Sequence, residues 1–104
     1  METLYVTPER IYDVMFEKAK HHERYSLKQF EVYLMHVEIK PKSKLNKTFA
    51  ERANYQLNHQ IDLWKLVLDA AFLCNDYQKQ RLVEDKINDC KEKLLEINPK
   101  HLKK

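Results

Sequence analysis

Not one glycine occurs among the 104 residues of this chain, and that absence removes most of the possible folds. Glycine reaches positive φ without steric cost, so two-residue hairpin turns, dinucleotide-binding loops and P-loops depend on it. Helices lose nothing when it is missing, because glycine weakens a helix interior. Pro8, Pro41 and Pro99 are then the strongest breakers left. Together with the capping residues they predict an all-α chain folded as an up-down antiparallel four-helix bundle. It is one domain over residues 1–104, with an N-terminal extension at 1–6 and a basic tail at 99–104.

The first helix has a clear start. Thr7 suits the N-cap, Pro8 the first helical position and Glu9 the positive end of the dipole. Val6 and Ile11 are spaced for a hydrophobic staple across that cap. Ile11, Val14, Met15 and Ala19 mark one face, and the pattern fades at Lys20-His21-His22-Glu23, which reads as a turn. Ser26 followed by Gln29 has the form of a capping box opening a second helix, with Phe30, Tyr33, Leu34 and Val37 as its stripe. Pro41 closes that helix, since proline disfavours helical geometry in the residue before it.

A third helix begins at Thr48 or Phe49 and runs to Leu73. Leu57, Ile61, Trp64, Leu68 and Ala71 alternate spacings of four and three, the seam of a packed bundle. Between Ile61 and Cys74 only Asp62, Lys65 and Asp69 are polar, so most of the helix circumference needs covering. Leu63, Leu66, Val67, Ala70 and Leu73 are the residues expected at an oligomer or partner interface. Asn75 and Gln78 suggest a cap for a fourth helix, in which Val83, Ile87, Cys90, Leu94 and Ile97 keep the same spacing until Pro99.

Composition bounds the class of protein. Hydrophobic content of 43% with 34% charged residues belongs to a globular domain that buries one core. No basic segment followed by an apolar one marks a secretory signal, no apolar run is long enough for a bilayer, and Cys74 and Cys90 are isolated thiols. A cytoplasmic location is the expectation that follows.

The formal net charge is only +3, but its distribution is uneven. Lys40, Lys42, Lys44 and Lys47 fall in one short segment, with no acidic residue between Glu38 and Glu51. Lys100, Lys103 and Lys104 follow Pro99. In an up-down four-helix bundle these two segments and the N-terminus share one end. Seven lysines gathered there form a candidate site for the phosphates of RNA or DNA, with affinity gained from counterion release. Lysine-rich loops also serve plain solubility, which is the competing account. A second cluster, Lys18, Lys20, His21, His22, Arg24 and Lys28, is diluted by Glu17 and Glu23.

Other chemistries find less support. A di-iron bundle site needs Glu-x-x-His on two helices, and the chain contains none. Cys74 lies at the negative end of a helix dipole, which opposes thiolate formation, and Cys90 has core spacing. No serine has an evident base and orienting group. The expectation is therefore a nonenzymatic protein with no catalytic residues, no metal and no cofactor.

Glu23-Arg24-Tyr25-Ser26-Leu27 resembles the Arg-aromatic-Ser/Thr-Leu entry of the Avd-like four-helix-bundle family. Ala53-Asn54-Tyr55-Gln56-Leu57, with Ile61, Leu63, Trp64, Lys65 and Leu66 after it, is similar to that family's Ala-Asn-x-x-Leu stretch. These are the accessory variability determinants of diversity-generating retroelements, related to proteins encoded in ribosomal RNA intervening sequences. The likeness covers about half the chain; the family's glycine-containing close is replaced here by Cys90-Lys91-Glu92-Lys93-Leu94-Leu95-Glu96-Ile97. It implies a homo-oligomer that binds nucleic acid and docks to a reverse transcriptase. The alternative is a protein–protein adaptor or inhibitor of phage or plasmid origin that uses an apolar surface of the third helix.

Overall fold

A computed structural model describes residues 7–102 of the chain. It is all-helical, and its elements are α1 (Pro8–Ile39), α2 (Leu45–Leu73), α3 (Tyr77–Glu96) and a single turn, α4 (Pro99–Leu102). Among the described residues there are thus four helices, but not the expected four. The first two are one continuous helix of 32 residues, about 48 Å long at the usual rise. The fourth is a four-residue turn formed where a basic tail was expected.

The missing break has a physical reason. Lys20 to Tyr25 contain no proline or glycine, so nothing in the backbone stops α1 there. Ser26 is not an N-cap. It is buried in the middle of α1, where its hydroxyl donates to the carbonyl of His22, 3.2 Å away. Such back-bonding by one turn is the usual way a helix interior accommodates serine. The buried positions Tyr12, Ala19, Ser26 and Tyr33 are each seven residues apart, an uninterrupted heptad through the supposed turn.

The real ends obey local chemistry. Thr7 caps α1 as expected, its Oγ1 accepting from the N–H of Arg10 at 3.1 Å; Val6, its proposed staple partner, lies outside the described residues. The chain leaves α2 through Asn75, whose φ of 53° is the left-handed conformation in which helices most often use glycine. Asparagine supplies it here because its short polar side chain tolerates that region. The expected cap at Asn75 falls instead on Asp76, whose Oδ1 accepts from the N–H groups of Gln78 and Lys79 at 3.0 and 3.2 Å.

Helix α2 is the central element. It packs along α1 on one flank and α3 on the other, and α4 touches its beginning. Two apolar clusters result. One, around Trp64, gathers Tyr12, Ala19, Ile61, Val67, Ala71, Val83 and Ile87 from three helices. The other gathers Phe30, Tyr33, Ala50, Ala53, Leu57 and Ile97, with Val37, Phe49 and Leu102 against it. Small residues at Ala50 and Ala53, both fully buried, allow the aromatic rings of α1 to pack close to α2.

Between the two clusters lies a polar layer. Gln60 is fully buried; its Nε2 donates to the carbonyl of Ala19 at 2.8 Å and its Oε1 lies 3.2 Å from the Ser26 hydroxyl. His22 joins them, with Nδ1 2.6 Å from Gln60 Oε1 and Nε2 3.0 Å from Gln56 Oε1. Every polar atom of this layer that is buried has a partner, so the layer fixes the register of α1 on α2.

Candidate basic pole

The 40s segment is a short ordered connection between α1 and α2. Asn46, 1% exposed, holds it by donating from Nδ2 to the carbonyls of Lys40 and Pro41 at 2.9 and 3.1 Å. Its Oδ1 accepts from His36 Nδ1 at 2.6 Å. These bonds satisfy carbonyls left open where α1 ends. They also fix the backbone from which Lys40, Lys42, Lys44 and Lys47 project, and all four lysines are exposed.

The C-terminal segment comes to the same end. Ile97 is buried in the cluster of Phe30 and Tyr33, and Leu102 packs against it. Tyr33 ties the backbone down: its hydroxyl accepts from the N–H of Asn98 at 3.0 Å and lies 2.8 Å from His101 Nδ1. Asn98 in turn accepts from the N–H of Lys100 at 3.0 Å. Exposed Lys100 thereby shares a pole with the four lysines of the 40s segment. Lys103 and Lys104 lie outside the described residues.

The electrostatics at this pole have two parts. The ends of α1 and α3 bring negative dipole ends there, which lysines offset; the start of α2 brings a positive end with no acidic residue in its first turn. Among the described residues the lysines of the pole form no ion pair with a carboxylate, the recorded pair being Lys86 with Glu23 at 3.3 Å.

Three placements differ from expectation. The start of α1 is at the opposite pole, beside the turn after α2, because two expected helices became one. Lys79 stands 4.7 Å over the Tyr12 ring there. Val67 and Ala70, expected at an interface, are buried around Trp64 and have no surface to offer. They lie one heptad after Gln60 and Leu63, which meet α1, so they continue the α1-facing side of α2. Leu63 is half-buried, whereas Leu66 and Leu73 are 49% and 63% exposed. Leu63 and Leu66 line a shallow groove of about 220 Å³ with Val14, Met15 and Lys18 of α1.

The second basic cluster is a stripe rather than a turn. Lys20, His21 and Arg24 line one depression on α1 together with Glu17, while His22 faces the polar layer. There it starts a row of rings that the sequence reading missed: Tyr25, His22, His59 and Tyr55, with successive centroids 6.0, 4.7 and 6.4 Å apart. Spacings of three from His22 to Tyr25 and four from Tyr55 to His59 carry the signal. It is legible only when α1 is continuous.

Thiol and metal chemistry gain no geometry here. Burial pushes the Cys90 thiol up to about 11. Among the described residues no three histidine, cysteine or acidic side chains gather as metal ligands, and no helix is long and apolar enough to cross a membrane. In comparisons with known proteins, no family model, no curated protein and no solved structure matches the chain.

Proposed function

We propose that this is a nonenzymatic helical protein whose lysine-bearing pole binds the phosphate backbone of RNA or DNA. The observation that carries this reading is the hydrogen bonding of Tyr33 to Asn98 and His101, which holds Lys100 at the end where Lys40, Lys42, Lys44 and Lys47 project. Five ordered, unpaired cations at one end are what a sequence-tolerant phosphate grip requires. Lys103 and Lys104 extend the same basic segment in sequence.

The experiment is a titration with single-stranded RNA and with duplex DNA over a range of salt. Affinity is expected to fall steeply, with a slope of about −0.7 to −0.9 per phosphate contact. Lys42→Glu together with Lys44→Glu should flatten that slope. Affinity that does not change with salt would end the proposal.

Association with a mobile-element enzyme such as a reverse transcriptase rests on the Avd-like resemblance alone. Homo-oligomerisation has a structural argument. Three long helices leave α2 uncovered along the groove of Val14, Met15, Leu63 and Leu66, and a second copy would complete an up-down four-helix arrangement there. The same groove favours the second reading, an adaptor that receives an apolar partner. Leu66→Glu would then abolish partner binding, and charge reversal at Lys42 and Lys44 would leave it intact.

A further inference from the structure

We infer that the row of rings across α1 and α2 is a stacking platform for the bases of an unpaired strand, so that the nucleic acid taken by the basic pole is single-stranded. This rests on the phosphate-binding reading and gives it a substrate class. The inner rings, His22 and His59, meet edge to face at 4.7 Å. His22 is also held from below by Gln60 and Gln56 at 2.6 and 3.0 Å. The outer rings are open. Tyr25 is 51% and Tyr55 67% exposed, and Tyr55 lies nearly parallel to His59, at 15°. The hydrogen-bonded His22 ring is a fixed point against which Tyr25 and the exposed His59 ring pack, an arrangement that lowers the entropic cost of stacking a base on the row.

The cations are in line with the rings. Arg52 precedes Tyr55 by three residues and Lys28 follows Tyr25 by three, so each charge shares its tyrosine's helical face. On α2 the exposed positions His59, Tyr55, Arg52, Thr48 and Lys44 form one stripe at spacings of four and three. At helical rise it is about 22 Å long and ends at the basic pole. A few extended nucleotides cover that distance, with bases over the rings and phosphates toward Arg52 and the lysines. In a duplex the base faces are stacked away, so the platform has no use for one.

Fluorescence anisotropy with labelled oligothymidylate and with a labelled duplex tests this. The double variant Tyr25→Ala, Tyr55→Ala is expected to lose affinity for oligothymidylate by roughly 5- to 150-fold per base left unstacked. Its affinity for duplex and its salt slope should stay those of the unaltered protein. Tyr25→Phe with Tyr55→Phe keeps the ring faces and should bind as the unaltered protein does. Emission from Trp64, the single tryptophan and fully buried, reports whether each variant is folded. If the alanine pair binds oligothymidylate undiminished, or loses affinity for duplex equally, the platform is overturned and phosphate binding stands. If the unaltered protein binds neither ligand, phosphate binding fails and the platform falls with it.

Discussion

Cys90 shows how one buried side chain turns into a measurable property of the molecule. It lies in the Trp64 cluster at 7% exposure, and its thiol is pushed up from 9.0 to about 11, first by burial, against the lowering effect of Lys93. At pH 8 about one such thiol in a thousand is ionised, and the thiolate is the reactive form. Under native conditions a thiol-specific disulfide reagent should therefore titrate half-buried Cys74 well before Cys90, and both together in denaturant. The sign of the pH effect follows. A raised pKa means that the folded chain keeps a proton that the unfolded chain gives up earlier. Stability from this group is constant below pH 9 and is lost progressively between 9 and about 11. Thermal melts of Cys90→Ala and of the unaltered protein should thus converge as pH rises through that window. Parallel melting curves across it would contradict the assignment.

Elements were legible in the sequence where a backbone rule acts, and illegible where only side-chain satisfaction decides. Thr7 with Pro8, Pro41 after α1, and Pro99 after α3 each mark an observed boundary, because proline's constraint is local. Ser26 misled because the same hydroxyl that caps a helix in one context bonds back by one turn in another. The partners that satisfy it, Gln60 and the carbonyl of His22, are respectively remote in sequence and invisible to a capping pattern. The candidate site divides in the same way. The lysines of the 40s segment and Lys100 share a pole, as read from the sequence. The ring row depends on α1 continuing unbroken through residues 20–25. Substitution of His21 by proline decides between the two views of α1. His21 is exposed, so in a turn the change would cost little. Inside the continuous helix it removes a hydrogen bond and clashes with the preceding turn, at about 3 kcal/mol or more. Urea unfolding should show that loss, with lower helical circular dichroism. A variant as stable as the unaltered protein would mean that α1 is broken at that point.

For the whole molecule, length matters more than net charge. The principal extents are 60 × 30 × 22 Å, whereas charges are screened over about 8 Å at physiological ionic strength. A phosphate at the lysine pole therefore responds to the charges beside it, the lysines together with Glu38 and Glu96, and hardly at all to the acidic residues at the far end. The formal charge of +3 is a sum over the whole chain and does not describe the field there. That field depends on two locks, Asn46 on the 40s segment and Tyr33 on α4, and the second can be removed without emptying the core. Tyr33→Phe keeps the buried ring and deletes the hydroxyl, leaving the N–H of Asn98 and the ring of His101 without this partner. One unmade hydrogen bond of this kind costs about 1–2 kcal/mol. A four-residue helix has no stability of its own to resist that, so the loss should fall on α4 rather than on the fold. Trypsin cleavage after Lys100 is expected to accelerate severalfold, with the urea midpoint only slightly lowered. In the same variant the salt slope for nucleic acid should drop by about one contact, matching Lys100→Ala. An unchanged cleavage rate would mean that Ile97 and Leu102 hold α4 by packing alone, and that Tyr33 is not what brings the two lysine segments together.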